Sequence, residues 1–154
     1  MPLPTVPLSA TYGNVQTARV AAILPAAGAY DATPIEMPCS YFAYVTFYIT
    51  YTPAQANGAV DFMIEVSPRS ADAAGVEDWF QASIVAGGAV APGADTTSLI
   101  QREEDSYTAV AVAAESFTYG PVELCGTVER IRISCQESGV VGNPGDCHIV
   151  AVFA

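Results

Sequence analysis

Residues 40–67 run SYFAYVTFYITYTPAQANGAVDFMIEVS, and apolar side chains alternate along both halves of the stretch. Tyr41, Val45, Phe47, Ile49 and Tyr51 hold the odd positions of the first half; Val60, Phe62, Ile64 and Val66 hold the even positions of the second. A period of two marks strands that turn one face to a core. Between them PAQANG, residues 53–58, carries an Asn-Gly turn signal. The simplest reading is an antiparallel hairpin with Ile49 opposite Phe62, Phe47 opposite Ile64 and Val45 opposite Val66.

Working outward, residues 17–24 and 29–36 read as strands, the second broken by Pro34. Residues 77–86 form another, with Trp79 and Phe80 on opposite faces. Residues 96–101 and 106–114 follow; Tyr107, Thr108, Val110 and Val112 favour strand in the latter. Pro121 interrupts the strand 117–124 and marks it as an edge, because proline cannot donate to a ladder. At the C-terminus, VERIRISC is followed by QESGVVGNPGD and CHIVAVF. A hairpin register pairs Ile133 with Ile149, Ile131 with Ala151 and Cys135 with Cys147, and sets Ser134 by His148 and Arg132 by Val150 on the other face. Residues 147–153 are apolar on both faces, which suits a central strand. The expectation is all-β: an antiparallel β-sandwich or jelly roll of about eight strands over residues 17–154. Residues 1–16, with Pro2, Pro4 and Pro7, read as an extended N-terminal arm.

The chain has 154 residues, no lysine, five arginines and sixteen acids, for a net charge of -11. Phosphate neutralisation needs clustered cations, so nucleic acid and anionic membranes are poor partners. The N-terminus has no basic stretch followed by a continuous apolar run, so no signal peptide is read there. Charged residues make up 14% of the chain, well below the usual value of about 25%. That scarcity suits a surface partly covered by other subunits. On the face opposite the core, Phe42, Tyr44, Tyr48 and Met63 form an aromatic-bearing stripe among Thr46, Thr50, Asp61 and Glu65. Such a stripe serves a subunit interface; a sugar-binding platform is the alternative.

Catalytic signals are weak. His148 is the single histidine, and Cys147 beside it points to the opposite face of a strand, a poor arrangement for a shared metal ion. Glu103, Glu104 and Asp105 lie together and read as a solvated turn. No catalytic residue, metal or cofactor is assigned. Of the four cysteines, the register makes Cys135 and Cys147 adjacent thiols or a disulfide, leaving Cys39 with Cys125 by subtraction.

The segments YVTFYITYTPAQANGAVDFMIEVSP (residues 44–68), DWFQASI (78–84) and VERIRISCQESGVVGNPGD (128–146) give the chain an overall pattern that resembles small β-sandwich virion proteins of tailed bacteriophages, of the head decoration or cement type. The resemblance spans residues 17–153 in general style. It implies a non-enzymatic structural subunit that binds and stabilises a capsid lattice. It further implies a homo-oligomer, a trimer being favoured, with the major capsid protein or another virion protein as partner. Such a subunit would be assembled in the host cytoplasm and reside in the virion. The alternative function is a carbohydrate-binding or adhesin module using the Tyr44/Tyr48 face.

Overall fold

A computed structural model describes residues 14–26, 29–68, 79–82, 105–124, 126, 128–140 and 142–154. Nine strands occur among them: β1 (Val15–Ile23), β2 (Met37–Pro38), β3 (Tyr44–Thr52), β4 (Ala59–Ser67), β5 (Phe80–Ala82), β6 (Asp105–Thr108), β7 (Glu115–Glu123), β8 (Arg130–Glu137) and β9 (Asp146–Phe153). A front sheet has the order β1-β9-β3-β7. A back sheet runs β2-β8-β4, and β4 pairs along its far side with both β6 and β5. β6 takes Ala59 to Phe62 of β4 and β5 takes Ile64 to Val66, so together they act as one interrupted edge strand.

Pairing therefore joins first to last: β1 with β9, β2 with β8, β3 with β7, and β4 with β5 and β6. Rolling one long antiparallel ribbon onto itself produces this order, and the result is a jelly roll. The all-β sandwich expected from the sequence is the fold of the protein.

Two expected hairpins are corrected. β3 and β4 do not pair; β3 lies in the front sheet between β9 and β7, and β4 lies in the back sheet. Likewise β8 pairs with β4, setting Arg132 beside Glu65 and Ser134 beside Met63, whereas β9 pairs with β1 and β3, setting His148 beside Thr50. The cause is common to both. Inward residues of two stacked sheets face one another just as those of a hairpin do, so alternation alone does not separate the arrangements. The parities themselves hold: Val45, Phe47, Ile49 and Tyr51 face Val60, Phe62, Ile64 and Val66 across one core. The Asn-Gly signal does mark a turn, with Asn57 at φ 65°, but that turn carries the chain from one sheet to the other.

Other corrections are local. Residues 29–36 form no strand. The expected strand 106–114 ends at Thr108, because the backbone of Val110 and Ala111 bonds to the Glu115 carboxylate instead of to a ladder. Tyr41 precedes β3 and is 98% exposed, so it takes no place in the core. β1 begins at Val15, two residues before the expected boundary. Pro121 does sit in an edge strand, β7, and β9 is central. The remainder of the arm and the strand expected at 96–101 lie outside the described residues, as does most of 77–86.

Apolar burial makes the core, and each fully buried large side chain contributes about 1.5–3 kcal/mol. Phe47, Tyr51, Phe153, Ile131 and Ile149 are all within it. Aromatic contacts close one lateral edge: Phe117 of β7 lies 5.9 Å from Phe62 and stacks on Tyr107 of β6 at 3.9 Å.

Two buried charged groups lock one end of the roll. Glu137, at the last position of β8, is 0% exposed. Its carboxylate accepts hydrogen bonds from the Tyr51 hydroxyl (2.8 Å) and from the backbone N–H of Ala59 (3.0 Å), Gly145 (3.0 Å), Val140 (3.2 Å) and Gly139 (3.3 Å). The loops 53–58 and 138–145 are thereby tied to one anion. They approach so closely that a Cβ on Gly145 would stand 2.5 Å from the Thr52 carbonyl oxygen.

Arg19 sits in an irregular stretch of β1 and its side chain turns inward. Its Nε and Nη2 grip both oxygens of Asp31 at 2.9 and 3.0 Å. The remaining N–H groups donate to the carbonyls of Ala22, Ile23 and Cys147. Asp31 also accepts the Cys135 N–H at 3.0 Å, so this pair bridges the two sheets.

Candidate interaction face

The front sheet turns its even-numbered β3 side chains outward. Tyr44 and Tyr48 are 45% and 51% exposed there, with Thr46 and Thr50 between and beyond them. Register supplies their neighbours. Tyr48 lies between Val150 of β9 and Thr118 of β7, and Thr17 of β1 extends that row. Thr46 lies beside Val152, which is beside Val15. Thr50 lies between His148 and Ser116, with its hydroxyl 3.1 Å from that of Ser116. The face is thus built from Tyr, Thr, Val and Ser. Among the described residues, charged groups reach it only at its margins, at Glu123 beside Tyr44 and at Asp146 beside Thr52.

The back sheet is different. Its outward positions include Arg130, Arg132, Asp61 and Glu65. Arg132 pairs with Glu65 at 2.7 Å and Arg130 with Glu36. Both guanidinium groups lie over the ring of Trp79, at 4.1 Å for Arg132 and 4.9 Å for Arg130, within cation–π range. Asp61 accepts from the Ser138 hydroxyl at 2.7 Å, so the charges of this face are paired or hydrogen-bonded within it.

Exposed large apolar residues follow the same division. Val15, Val20, Ile23, Tyr44 and Tyr48 belong to front-sheet strands, Ile35 lies opposite β1, and Tyr41, Val110 and Val112 lie in loops. Among the described side chains, none is on a back-sheet strand. Val15, Ile23, Tyr44 and Tyr48 are at outward register positions of the front sheet, whereas Val20 lines a cleft at its β1 edge; apolar clustering on one face is the mark of an interaction surface.

The four aromatic and Met positions singled out in the sequence are not one stripe. Tyr44 and Tyr48 share the front face. Met63 is half-buried on the back sheet, and Phe42 is half-buried with its ring 5.2 Å from that of Phe153. The split follows from the missing hairpin, since Met63 was placed beside Tyr48 through it. Val15, Val20 and Ile23 were missed; their signal was the apolar outward row of β9, Val150 and Val152, which needs an equally apolar neighbour.

Cys39, Cys135 and Cys147 are buried free thiols. Cys135 and Cys147 come from opposite sheets and meet inside the core within hydrogen-bonding reach. Cys125 lies outside the described residues. The hydrogen bond to Cys147, with burial second, pushes the Cys135 thiol up. Burial, reinforced by Glu129, pushes Cys39 up to about 12. Since the thiolate is the reactive form, a Cys125→Ser variant at pH 8 should show no rapid reaction with a thiol reagent when native, and three reactive thiols in denaturant. Rapid native reaction of any one would contradict this packing.

Neither buried charged group offers chemistry. Arg19 has all five N–H donors engaged, and Glu137 is saturated by its five donors. Cys147 faces the core while His148 faces out beside Thr50, so the two cannot share a ligand. No protein-family model matches the chain, and no curated protein or solved structure matches it either.

Proposed function

We propose that this protein is a non-enzymatic structural subunit of a virus particle, a capsid decoration subunit that self-associates and docks through the outer face of its front sheet. The segregation of its surface carries this reading. An acidic chain with net charge -11 keeps one broad sheet face almost free of charge and sets Val15, Ile23, Tyr44 and Tyr48 exposed on it. Two acidic bodies repel over most of their surfaces and can approach where charge is absent. The jelly-roll order adds a fold-level analogy, because viral capsid and lectin domains use it.

The Tyr44→Glu/Tyr48→Glu double variant tests the reading. Both side chains are about half exposed, so the thermal midpoint should stay within a few degrees of wild type. Burying two unpaired carboxylates should weaken association by at least about a hundredfold. Multi-angle light scattering after size exclusion reads the result. Unchanged association of the double variant would remove the face from the account. The second reading, a glycan platform, rests on the same two exposed tyrosines; it requires that face to stay open in the assembled protein.

A further inference from the structure

Two buried cysteines face each other across the core, and the front-face reading makes no use of them. Cys135 is an inward residue of β8 and Cys147 an inward residue of β9, and both are 0% exposed. One ion pair holds both backbones. Asp31 Oδ2 accepts the Cys135 N–H at 3.0 Å and the Arg19 Nε–H at 2.9 Å, while Arg19 Nη1 donates to the Cys147 carbonyl. The thiols meet inside this frame, within hydrogen-bonding reach of each other. Stacked sheets stand about 10 Å apart, and sandwiches of the immunoglobulin type span that gap with a disulfide between facing strands. Cys39 is directed elsewhere, with its thiol 3.9 Å from the Val128 carbonyl oxygen.

A cleft of about 200 Å³ opens beside the pair, between β1 and residues 31–35. Arg19 and Asp31, which hold the two cysteine backbones, both line it. So do Ala22, the ladder partner of Cys147, and Ile133, two residues before Cys135 on the same face of β8. β1 is an edge strand, and its register against β9 shifts on both sides of Arg19. An edge with an interrupted ladder opens locally more readily than a central strand. A small oxidant can therefore reach the two sulfurs through the cleft while the rest of the roll stays folded.

We propose that Cys135 and Cys147 form a redox-dependent staple: an oxidant of the low-molecular-weight disulfide class converts the two thiols to an inter-sheet disulfide, and thiol reductants release it. One cysteine, as thiolate, attacks the small disulfide, forms a mixed disulfide and expels one thiolate of the reagent. The second cysteine, deprotonated in turn, attacks the protein-side sulfur and expels the other thiolate. Two electrons pass from the cysteine pair to the reagent, and the two protons the cysteines lose go to the two expelled thiolates. The exchange is slow, because the hydrogen bond to Cys147, with burial second, holds the Cys135 thiol well above its usual value. The product ties the back sheet to the front sheet covalently and closes the short connection from β8 to β9.

The Cys125→Ser protein, incubated with glutathione disulfide in the absence of denaturant, tests the staple. N-ethylmaleimide added afterwards in denaturant counts the free thiols by intact mass. Three are expected before oxidation and Cys39 alone after it, with peptide mapping giving a Cys135–Cys147 link there and in the wild-type chain treated alike. The bridged protein should melt roughly 6–12 °C above the same sample returned to dithiothreitol. A Cys147→Ala variant carried through the same treatment should show no such shift. Three free thiols after prolonged incubation, a stable glutathione adduct on either residue, or a link that involves Cys39 would overturn the proposal. So would a bridge that forms only after unfolding, or a bridged protein that melts no higher than the reduced one.

Discussion

Replacement of Glu137 by alanine should destabilise the fold by about 4 kcal/mol. The carboxylate is fully buried and accepts five hydrogen bonds, four of them from backbone N–H groups of loops 53–58 and 138–145 and their borders. Each bond to a charged group contributes about 1.5–3 kcal/mol net, and their sum is limited because they share one acceptor. Removing it strands the buried donors of Tyr51, Ala59 and Gly145. Glutamine is only a partial remedy, since its amide NH2 would confront N–H groups; a loss near 3 kcal/mol is expected. Tyr51→Phe removes one donor and should cost about 1.5–3 kcal/mol. For a chain of this size, 4 kcal/mol lowers the thermal midpoint by roughly 8–16 °C. A fall of under about 3 °C for Glu137→Ala would contradict the anion-centred account of that end.

The same group makes stability depend on acid. Burial alone would raise the pKa of Glu137, but the backbone donors of Gly145, Ala59 and Val140 and the Tyr51 hydroxyl outweigh it and hold the carboxyl below its usual value. A depressed folded-state pKa means the contribution is complete above the unfolded value of about 4.3 and fades as pH falls through the lower folded value. Urea midpoints taken between pH 6 and pH 2 should therefore fall more steeply for wild type than for Glu137→Gln. Parallel curves would show that the carboxylate is not the group responsible.

Arg19→Met should cost about 3–5 kcal/mol. The guanidinium fills the irregular stretch of β1, saturates three carbonyls and holds Asp31, which in turn holds the Cys135 N–H. Methionine preserves much of the aliphatic volume but leaves Asp31 as a largely buried charge without its partner. The Arg19→Met/Asp31→Asn double variant removes that charge, and should be less destabilised than the sum of the singles by at least about 1 kcal/mol. Additive losses in denaturant unfolding would show that the two side chains act independently.

These two groups also show where the sequence was legible and where it was not. Inward parity at Val45, Phe47, Ile49, Val60, Phe62 and Ile64 was readable because a two-residue period is a local property. Pro121 identified an edge strand for an equally local reason, its missing N–H. The partner of each strand was not readable, because jelly-roll pairing joins first to last across most of the chain. Both misplaced hairpins assumed that neighbours in sequence pair. Glu137 follows Cys135 at the same parity and reads as the inward end of β8, yet a carboxylate there looks like the onset of a solvated loop. Only the convergence of Tyr51, Ala59 and Gly145, brought from other parts of the chain, makes it a buried anchor. Arg19 likewise depends on Asp31, which lies in a segment read as a strand. Of the candidate face, Tyr44 and Tyr48 were legible from alternation along β3. Their neighbours on β1 and β9 were not, because those neighbours depend on sheet order.

The front-sheet face can be tested in place by hydroxyl-radical footprinting of wild-type protein across a dilution series. Tyr44 and Tyr48 carry the claim, and Tyr41, 98% exposed and outside the face, serves as the internal reference. The account predicts that Tyr44 and Tyr48 become several-fold less reactive than Tyr41 as the protein associates at micromolar concentrations and above. Reactivity of Tyr44 and Tyr48 that stays constant at every concentration, in a protein that remains a 16.0 kDa monomer, would contradict it.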